Sequence, residues 1–237
     1  MFHALRKGAA GCDWLKFISF AVPFAHRSNA QLLQDIWALW ECGQEKPGYF
    51  VEFGACDGVS LSNSLLLERD FGWSGIVAEP DTRWHDRLQL ERRCMIDTRC
   101  VWSQSKEVLE FNAVADAAFS TLSVINPNDS HERSGYRASF VQIKVETVSL
   151  LDLLDQAGSP KEIDYLSIDT EGSEYAILSA FDFSRYRFKL ISVEHNYTPQ
   201  RELLNKLLVS KGYKRRFEGM TRWDDWYVYE GLERSQR

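Results

Sequence analysis

Segments with strand character and segments with helix character alternate along most of this chain. The apolar runs GYFVEFG at residues 48–54 and SGIVAEP at residues 74–80 predict buried strands. Between them, LSNSLLLERDFG predicts a helix ending at Gly72, and TRWHDRLQLERR at residues 82–93 predicts a second helix. Because parallel strands need crossover helices that pack on the sheet, this alternation predicts an α/β fold with a mostly parallel sheet.

The middle of the chain departs from this alternation. MIDTRCVW at residues 95–102 predicts a third strand of the sheet. EVLEF, FSTLSVI and FVQIKVETVSL then read as strands with no helix between them, which predicts a small β insertion. Residues 126–139 are polar and rich in turn formers, so we expect an exposed loop there, with His131 in solvent.

The alternation resumes in the last third. Ser149 and Asp152 are spaced to cap a helix at LLDLLDQAG, and IDYLSIDTEGSEYAIL gives a strand and then a helix from about Ser173. FKLISVEHN predicts the next strand, and RELLNKLLVSKG a helix that Thr198 would cap with Pro199 at its first position. YKRRF and DWYVYE predict a terminal hairpin.

An N-terminal extension precedes the domain. NAQLLQDIWALW at residues 29–40 has helical spacing behind a capping Ser28 or Asn29, so we place the domain at residues 28–237. Residues 1–27 contain an apolar stretch, Phe17 to Ala25, interrupted by Pro23 and too short to span a bilayer. We interpret it as a docking segment or a loose arm, and predict no stable membrane span.

Composition excludes several classes of protein. The net charge of -6 and the pI near 5.5 lack the basic field that holds a phosphate backbone, so nucleic acid is not an expected partner. The five cysteines are scattered without a CxxC pair, which indicates neither a zinc site nor a disulfide framework. Reduced thiols in the cytoplasm fit this pattern. A homo-oligomer is possible.

Acidic residues stand at the ends of four predicted strands. They are Glu52 and Asp57, Glu79, Asp169 and Glu171, and Glu194, which His195 and Asn196 follow. Ligands of open α/β sheets bind beyond the carboxyl ends of the strands, so this clustering predicts a functional site.

The first of these ends has glycines at positions 54 and 58, a GxxxG spacing rather than the GxGxxG of dinucleotide sites. Glu52 and Asp57 would repel phosphates but suit a cationic ligand. Glu79, 25 residues after Gly54, could accept hydrogen bonds from both hydroxyls of a ribose. Together these features indicate S-adenosylmethionine. The alternative is a tight strand-to-helix turn with a solvated Glu79.

Three segments carry a resemblance to a known family. FVEFGACDGVSLSNSLLLERDFGWSGIVAEP, IDYLSIDTEGSEYAIL and ISVEHNY resemble the FkbM family of S-adenosylmethionine-dependent methyltransferases. The resemblance implies a Rossmann-like class I methyltransferase fold, with a seven-stranded sheet ending in an antiparallel strand. It also implies methylation of a hydroxyl on a sugar, a glycan or a natural-product scaffold.

The resemblance implies a set of cofactor-binding residues. Cys56 stands where the family usually has asparagine, Glu79 would bind the ribose, and Ser103 would lie near the adenine, with Asp97 as its competitor. Asp169 could contact the amino group of the cofactor. The cofactor-binding residues implied are Glu52, Gly54, Cys56, Asp57, Gly58, Glu79, Ser103 and Asp169.

A hydroxyl is a poor nucleophile at neutral pH, so its methylation needs a general base or a divalent cation. Neighbouring parallel strands lie about 4.8 Å apart, which would bring Asp169 close to Glu194 and His195. We expect these three residues to be catalytic, with His195 as the base. The alternative is Mg²⁺ held by Asp169 and Glu194. Glu171 and Glu174 could take part in catalysis, or could only stabilise the N-terminus of the next helix.

Other readings stay open at this point. RWDDWYV could present Trp223 and Trp226 with Asp224 and Asp225 to a saccharide, or could form an ordinary buried hairpin. An NAD(P)-dependent oxidoreductase or sugar-nucleotide epimerase lacks support, because the chain has neither GxGxxG nor Tyr-x-x-x-Lys. A binding module without activity would have no need for acids on four strand ends.

Overall fold

In the computed structural model of the chain, the described residues are 8–44, 46–114, 119–125, 135 and 137–231, with the backbone alone at 8–12. They form a mixed α/β fold with two sheets. Most of the predicted exposed loop, including His131, lies outside the described residues.

The larger sheet has seven strands, which are β1 (Tyr49–Phe53), β2 (Ser74–Ala78), β3 (Met95–Asp97), β8 (Glu162–Ile168), β9 (Arg187–Glu194), β10 (Tyr213–Arg216) and β11 (Asp224–Tyr229). Their order across the sheet is β10-β11-β9-β8-β1-β2-β3. β8 lies at the centre, and β1 beside it runs parallel to both β2 and β8. β11 runs antiparallel to β9 and β10, so the sheet is mixed, as expected for a terminal hairpin.

The smaller sheet has four strands in the order β4-β7-β5-β6. They are β4 (Cys100–Trp102), β5 (Val108–Val114), β6 (Thr121–Leu122) and β7 (Phe140–Ser149). The segment MIDTRCVW, predicted as one strand, therefore divides between the two sheets. The break follows from Asp97, whose carboxylate accepts the Arg99 N–H at 2.9 Å and pairs with its guanidinium, turning the chain.

Helices flank the larger sheet. They are α1 (Gly8–Ala21), α2 (Gln34–Cys42), α3 (Leu65–Phe71), α4 (His85–Glu91), α5 (Leu150–Gln156), α6 (Glu174–Ala180) and α7 (Gln200–Ser210). The predicted start of α5 and the predicted end of α3 are confirmed. The Ser149 hydroxyl accepts the Asp152 N–H at 3.1 Å, and Gly72 has a left-handed conformation with φ 67°.

Two predicted helix starts are wrong. α2 begins at Gln34, because Leu33 is left-handed with φ 66° and the Ser28 hydroxyl donates to the Asp35 side chain instead of capping. α7 begins at Gln200, because the Thr198 hydroxyl donates to the His195 carbonyl at 2.9 Å. In both places the side chain forms another local hydrogen bond, which competes with helix capping.

The side chains of β1 alternate between two cores, one on each face of the larger sheet. Val51 and Phe53 pack on one face, while Phe50 packs on the other face with Trp37 and Trp226. The rings of Trp37 and Trp226 stack with their centroids 4.8 Å apart. Trp226 is therefore a core residue, as the buried-hairpin reading expects.

The N-terminal extension belongs to this second core. Phe17 of α1 is fully buried, and its ring lies 5.6 Å from that of Trp40 and 5.7 Å from that of Phe217. α1 is therefore docked, in agreement with the docking interpretation and not with a loose arm. None of the helices in the described ranges combines the length and apolar character needed to cross a membrane.

A buried carboxyl group lies beside this core at the start of β11. Asp224 accepts a hydrogen bond from the side-chain amide of Gln34 at 2.7 Å and faces Glu194 across the sheet. Burial, together with the nearby Asp169, raises the pKa of Asp224 to about 8.

Phe17→Ala tests whether α1 is part of the folded core. We expect it to lower the free energy of unfolding by about 3–5 kcal/mol, because it leaves a cavity among aromatic rings. Leu15→Ala, at a residue 52% exposed on the same helix, is the control and should change it by less than about 0.5 kcal/mol. Urea unfolding measures both, and equal effects would contradict the docking of α1.

Asp224→Asn tests the buried carboxyl. The raised pKa means that the folded state holds this proton more tightly than the unfolded state. The stabilising contribution is thus complete below pH 4 and is lost as the pH rises to about 8. Asparagine is always neutral, so the variant should be more stable than the wild type at pH 8, by a few kcal/mol at most, with little difference near pH 4.

The measurement is the free energy of unfolding in urea at pH 4.5, 6 and 8. The control is Glu230→Gln, which removes one acidic charge from an exposed position. A difference between Asp224→Asn and wild type that stays constant over this range would contradict the assignment.

Candidate functional site

A cavity of about 960 Å³ opens at the carboxyl ends of β1, β2, β8 and β9. This is the edge at which the acidic strand ends were predicted to meet. Its floor is formed by the strand ends and the β1–α3 loop, and the insertion covers it with Phe111, Phe119 and Leu122. Among the predicted site residues it brings together Glu52, Gly54, Cys56, Asp57, Glu79, Asp169 and Glu194.

The β1–α3 loop folds around the carboxylate of Glu52, which is 3% exposed. One oxygen accepts the Asn63 N–H at 2.6 Å, and the other accepts the hydroxyls of Ser62 and Ser64. The buried guanidinium of Arg92 lies 3.5 Å from the same carboxylate. Glu52 thus shapes the loop that lines the cavity, while its role toward a cofactor stays a prediction.

The glycines of the GxxxG motif permit close packing. Gly54 has φ 76°, and a Cβ there would overlap the carbonyl oxygen of Asp169. Gly58 has φ 77°, and a Cβ there would lie 2.6 Å from Leu88 and 2.8 Å from Arg92. Gly54 brings the ends of β1 and β8 together, and Gly58 seats the loop on α4. Gly58 itself does not line the cavity.

Asp57 stabilises the same loop. Its carboxylate accepts the N–H groups of Val59 at 2.9 Å and Ser60 at 2.7 Å, and Arg87 lies 3.5 Å away. Burial by itself would raise the pKa of Asp57, but these hydrogen bonds and Arg87 hold it below its usual value. Asp57 is therefore a stable negative charge at the cavity.

Glu79 lies at the end of β2 with both carboxylate oxygens held in place. One accepts the Cys56 N–H and the other the Asp81 N–H, each at 2.8 Å. Burial raises the pKa of Glu79 to about 7. A carboxylate oxygen can accept more than one hydrogen bond, so each oxygen of Glu79 can also accept one from a hydroxyl of a ligand in the cavity.

The wall beyond Glu79 is apolar. It contains Trp84, Cys100 and Val101, and the buried indole N–H of Trp84 has no hydrogen-bond partner among the described residues. This wall suits a flat heterocycle that offers an acceptor to the indole. Ser103 does not line the cavity, and neither does Asp97, whose carboxylate pairs with Arg99. The structure therefore does not bring either of the two predicted adenine contacts to the cavity.

Asp169 and Glu194 meet where β8 and β9 end. An oxygen of each carboxyl group lies within 4.8 Å of the other, and burial together with the neighbouring carboxylates raises the pKa of both. The pKa of Asp169 rises to about 6. Two acids this close share a proton more readily than both ionise, so the pair can accept a proton near neutral pH.

Glu171 completes a group of three acids. One oxygen each from Asp169, Glu171 and Glu194 lie within 4.8 Å of one another, close enough to hold a metal ion. Glu171 also forms a buried ion pair at 2.5 Å with Arg137, which reduces the negative charge available to a cation. Glu174 is bound elsewhere, because it accepts the N–H groups of Thr170 and Gly172 at the start of α6.

His195 does not reach the cavity. Its side chain is fully buried on the opposite side of β9, where Nδ1 accepts the Tyr197 N–H at 2.9 Å and Nε2 lies 3.7 Å from Asp225. Burial lowers the pKa of His195 to about 4, with Asp225 opposing the shift. Successive residues of a strand point to opposite faces, and Glu194 takes the cavity side. The position of His195 does not support its role as base.

Several cavity residues carried no sequence prediction. Asn63, Trp84 and Tyr197 line the cavity, as does Asn196, which the predicted strand-end cluster had included. Only their positions just after strand ends or at a helix start could have signalled them. The RWDDWYV segment contributes only in part. Trp223 lines the cavity, while Asp225 forms ion pairs with Arg201 and Arg215.

Three solved structures are similar to this chain over most of its length. A methyltransferase FkbM from Methylobacillus flagellatus KT shares 16% identity with a TM-score of 0.44, covering 92% of this chain and 61% of that one. A precorrin-6y C5,15-methyltransferase from Geobacter metallireducens GS-15 shares 10% identity with a TM-score of 0.43, covering 82% and 86%. A fibrillarin/Nop5p complex shares 12% identity with a TM-score of 0.37, covering 84% and 80%.

The chain thus spans 61% of the length of the first of these structures. Among curated proteins, no sequence match was found. The family model for the methyltransferase FkbM domain matches residues 52–223 of the 237, from the first strand-end acid to the cavity residue Trp223. This chain belongs to the FkbM methyltransferase domain family.

Proposed function

We propose that this protein is an S-adenosylmethionine-dependent methyltransferase that methylates a hydroxyl of a sugar, a glycan or a natural-product scaffold. The observation that carries the proposal is Glu79, a carboxylate fixed by two backbone N–H groups at the edge of a large cavity. A nucleoside ribose offers the two hydroxyls that such a group accepts. Family membership favours methyl transfer over the oxidoreductase and epimerase readings.

The residues present fit this cofactor. The cavity is of the size that binds small ligands. Its apolar wall suits the adenine, and so does the Trp84 N–H, which no described residue accepts. Asp57 and Asp169 suit the positive charges at the methionine end. Gly54 and Cys56 also line the cavity.

S-adenosylmethionine supplies a methyl group bound to a positively charged sulfur, and this sulfonium is already a good leaving group. The protein therefore needs to orient the acceptor and remove its proton. We assign the proton to the Asp169–Glu194 pair, which faces the cavity and has raised pKa values. The closeness of the two carboxyl groups disfavours ionisation of both, so together they hold a proton readily. Asn196, next to the pair, donates to Glu171 at 3.3 Å and limits the space for the acceptor.

A metal-assisted version of the same reaction is a second candidate. The oxygens of Asp169, Glu171 and Glu194 are close enough to bind Mg²⁺, which would lower the pKa of the acceptor hydroxyl. The buried Arg137 beside Glu171 favours the version without a metal.

Glu79→Gln tests the cofactor site. We expect S-adenosylmethionine to bind at least about tenfold more weakly, because a neutral amide is a weaker acceptor for the ribose hydroxyls than a carboxylate. Calorimetry of S-adenosylmethionine binding measures the effect. Glu91→Gln, an exposed position at the end of α4, is the matched control and should bind normally. Unchanged affinity in Glu79→Gln would remove Glu79 from the site.

Asp169→Asn tests the proton acceptor. We expect turnover at saturating S-adenosylmethionine to fall by about 10²–10⁴-fold, the usual contribution of a general base, and saturation keeps any loss of cofactor affinity out of the comparison. The measurement is transfer of labelled methyl groups from S-adenosylmethionine to a panel of sugars, with the exposed Asp182→Asn as control. Full turnover in Asp169→Asn would exclude the residue. EDTA treatment separates the two versions, because only the metal-assisted one would lose activity and regain it with Mg²⁺.

A further inference from the structure

The chain leaves β9 through an unusual turn at the cavity rim. Asn196 and Tyr197 are consecutive left-handed residues, with φ 43° and 56°. Residues other than glycine disfavour this conformation, and a pair of them persists only where the surroundings hold the backbone in place. Such positions concentrate at functional sites, so the contacts that hold this turn are informative.

His195 is the main support of the turn. Its Nδ1 accepts the Tyr197 N–H at 2.9 Å, and its carbonyl accepts the Thr198 N–H at 2.8 Å. Because Nδ1 is the acceptor and the ring is neutral, Nε2 carries the proton and points toward Asp225, 3.7 Å away. The ring therefore clamps the turn from the side of the sheet opposite the cavity.

The residue before β11 supports the turn from the other side. The carbonyl of Trp223 accepts the N–H groups of His195 at 2.8 Å and Asn196 at 3.3 Å. The Asn196 side chain reaches Glu171. Hydrogen bonds from His195 on one side and Trp223 on the other thus hold the backbone of the turn, and they fix the direction of the Tyr197 side chain.

The result is an aromatic ring held out at the edge of the cavity. Tyr197 is 66% exposed although it lines the cavity, and Trp223 lines the cavity beside it. The ring packs edge-on to His195, with their centroids 5.3 Å apart and an interplanar angle of 76°. A solvent-facing aromatic ring on a rigid turn is a platform for the C–H face of a saccharide ring.

The charge of the cavity narrows the choice of acceptor. Several carboxylates line it, and no lysine, arginine or histidine of the described residues does so. Two buried cations near the lining carboxylates are already paired, Arg137 with Glu171 and Arg92 with Glu52. An anionic acceptor would meet repulsion here, whereas a neutral or cationic one would not.

We propose that Tyr197 is the specificity-determining platform of the acceptor site, that it stacks on the ring of an uncharged or amino-bearing saccharide, and that His195 is the positioning residue that holds it. This inference rests on the proposed function and names the acceptor class for it. His195 acts through the turn and touches neither the acceptor nor the cofactor.

The test uses saturation-transfer NMR on the full chain with S-adenosylhomocysteine bound. The saccharides are methyl α-D-glucopyranoside, D-glucosamine and D-glucuronate, which are neutral, cationic and anionic. We expect the first two to receive saturation at their ring protons and glucuronate to receive none. Tyr197→Ala should weaken their binding about three- to tenfold, and Tyr197→Phe should preserve it because the ring remains.

His195 is tested with a matched pair of variants. His195→Ala removes the acceptor for the Tyr197 N–H, so it should weaken saccharide binding as Tyr197→Ala does. His195→Asn should restore it, because an asparagine side chain can accept the N–H group two residues along the chain. A purely structural role would lower the stability of both variants without distinguishing their saccharide binding.

Calorimetry of S-adenosylhomocysteine in the same samples separates the possible failures. If the cofactor product binds but no neutral or cationic saccharide does, the inference is overturned while the proposed function stands. Unchanged saccharide binding in Tyr197→Ala, or preferential binding of glucuronate, overturns it as well. If S-adenosylhomocysteine does not bind to the wild type, the proposed function fails first.

Discussion

The burial of one carboxylate, Glu52, is the constraint on which the cavity depends. A charge inside a sheet is tolerated only where hydrogen-bond donors and a counter-ion surround it. The loop after β1 satisfies this need by folding back, so that Ser62, Asn63 and Ser64 donate to Glu52 and Arg92 lies beside it. That fold leaves the opposite side of the loop facing the cavity, where the Cys56 N–H meets the carboxylate of Glu79.

The acids at this edge of the sheet divide into two groups by their counter-ions. Glu52, Asp57 and Glu171 each have an arginine partner. In the described part of the chain, Glu79 and the Asp169–Glu194 pair form no such ion pair, and burial raises the pKa of all three. The first group maintains the structure of the site. The acids of the second group can still accept hydrogen bonds or a proton. We therefore assign ribose binding to Glu79 and proton transfer to the Asp169–Glu194 pair.

The insertion connects this chemistry to the choice of acceptor. Besides the Arg137–Glu171 ion pair, the Thr121 hydroxyl donates to the Glu171 carbonyl at 2.8 Å. The smaller sheet is therefore attached to the β8–α6 loop, and it covers the cavity with Phe111 and Leu122. A change in the insertion would alter the space above the acid pair without disturbing the strands that present it. Together with the turn at Tyr197, it encloses the region in which we place the acceptor.

The sequence by itself determined the elements and the edge at which they carry chemistry. The alternation of apolar runs with amphipathic segments predicted the sheet, because each strand and helix must bury an apolar face. The acids after the strands predicted the site, because parallel strands end at one edge. What only the tertiary structure decided is which way each of these side chains points and what it meets there. Neighbours along a strand face opposite sides, so Glu194 enters the cavity and His195 leaves it. Likewise, the hydroxyls of Ser28 and Thr198 resemble helix caps in sequence but bind Asp35 and the His195 carbonyl instead. The alternation along a strand can be seen in the sequence, but which of its faces meets the cavity depends on segments from distant parts of the chain that pack there, such as the β1–α3 loop and the insertion.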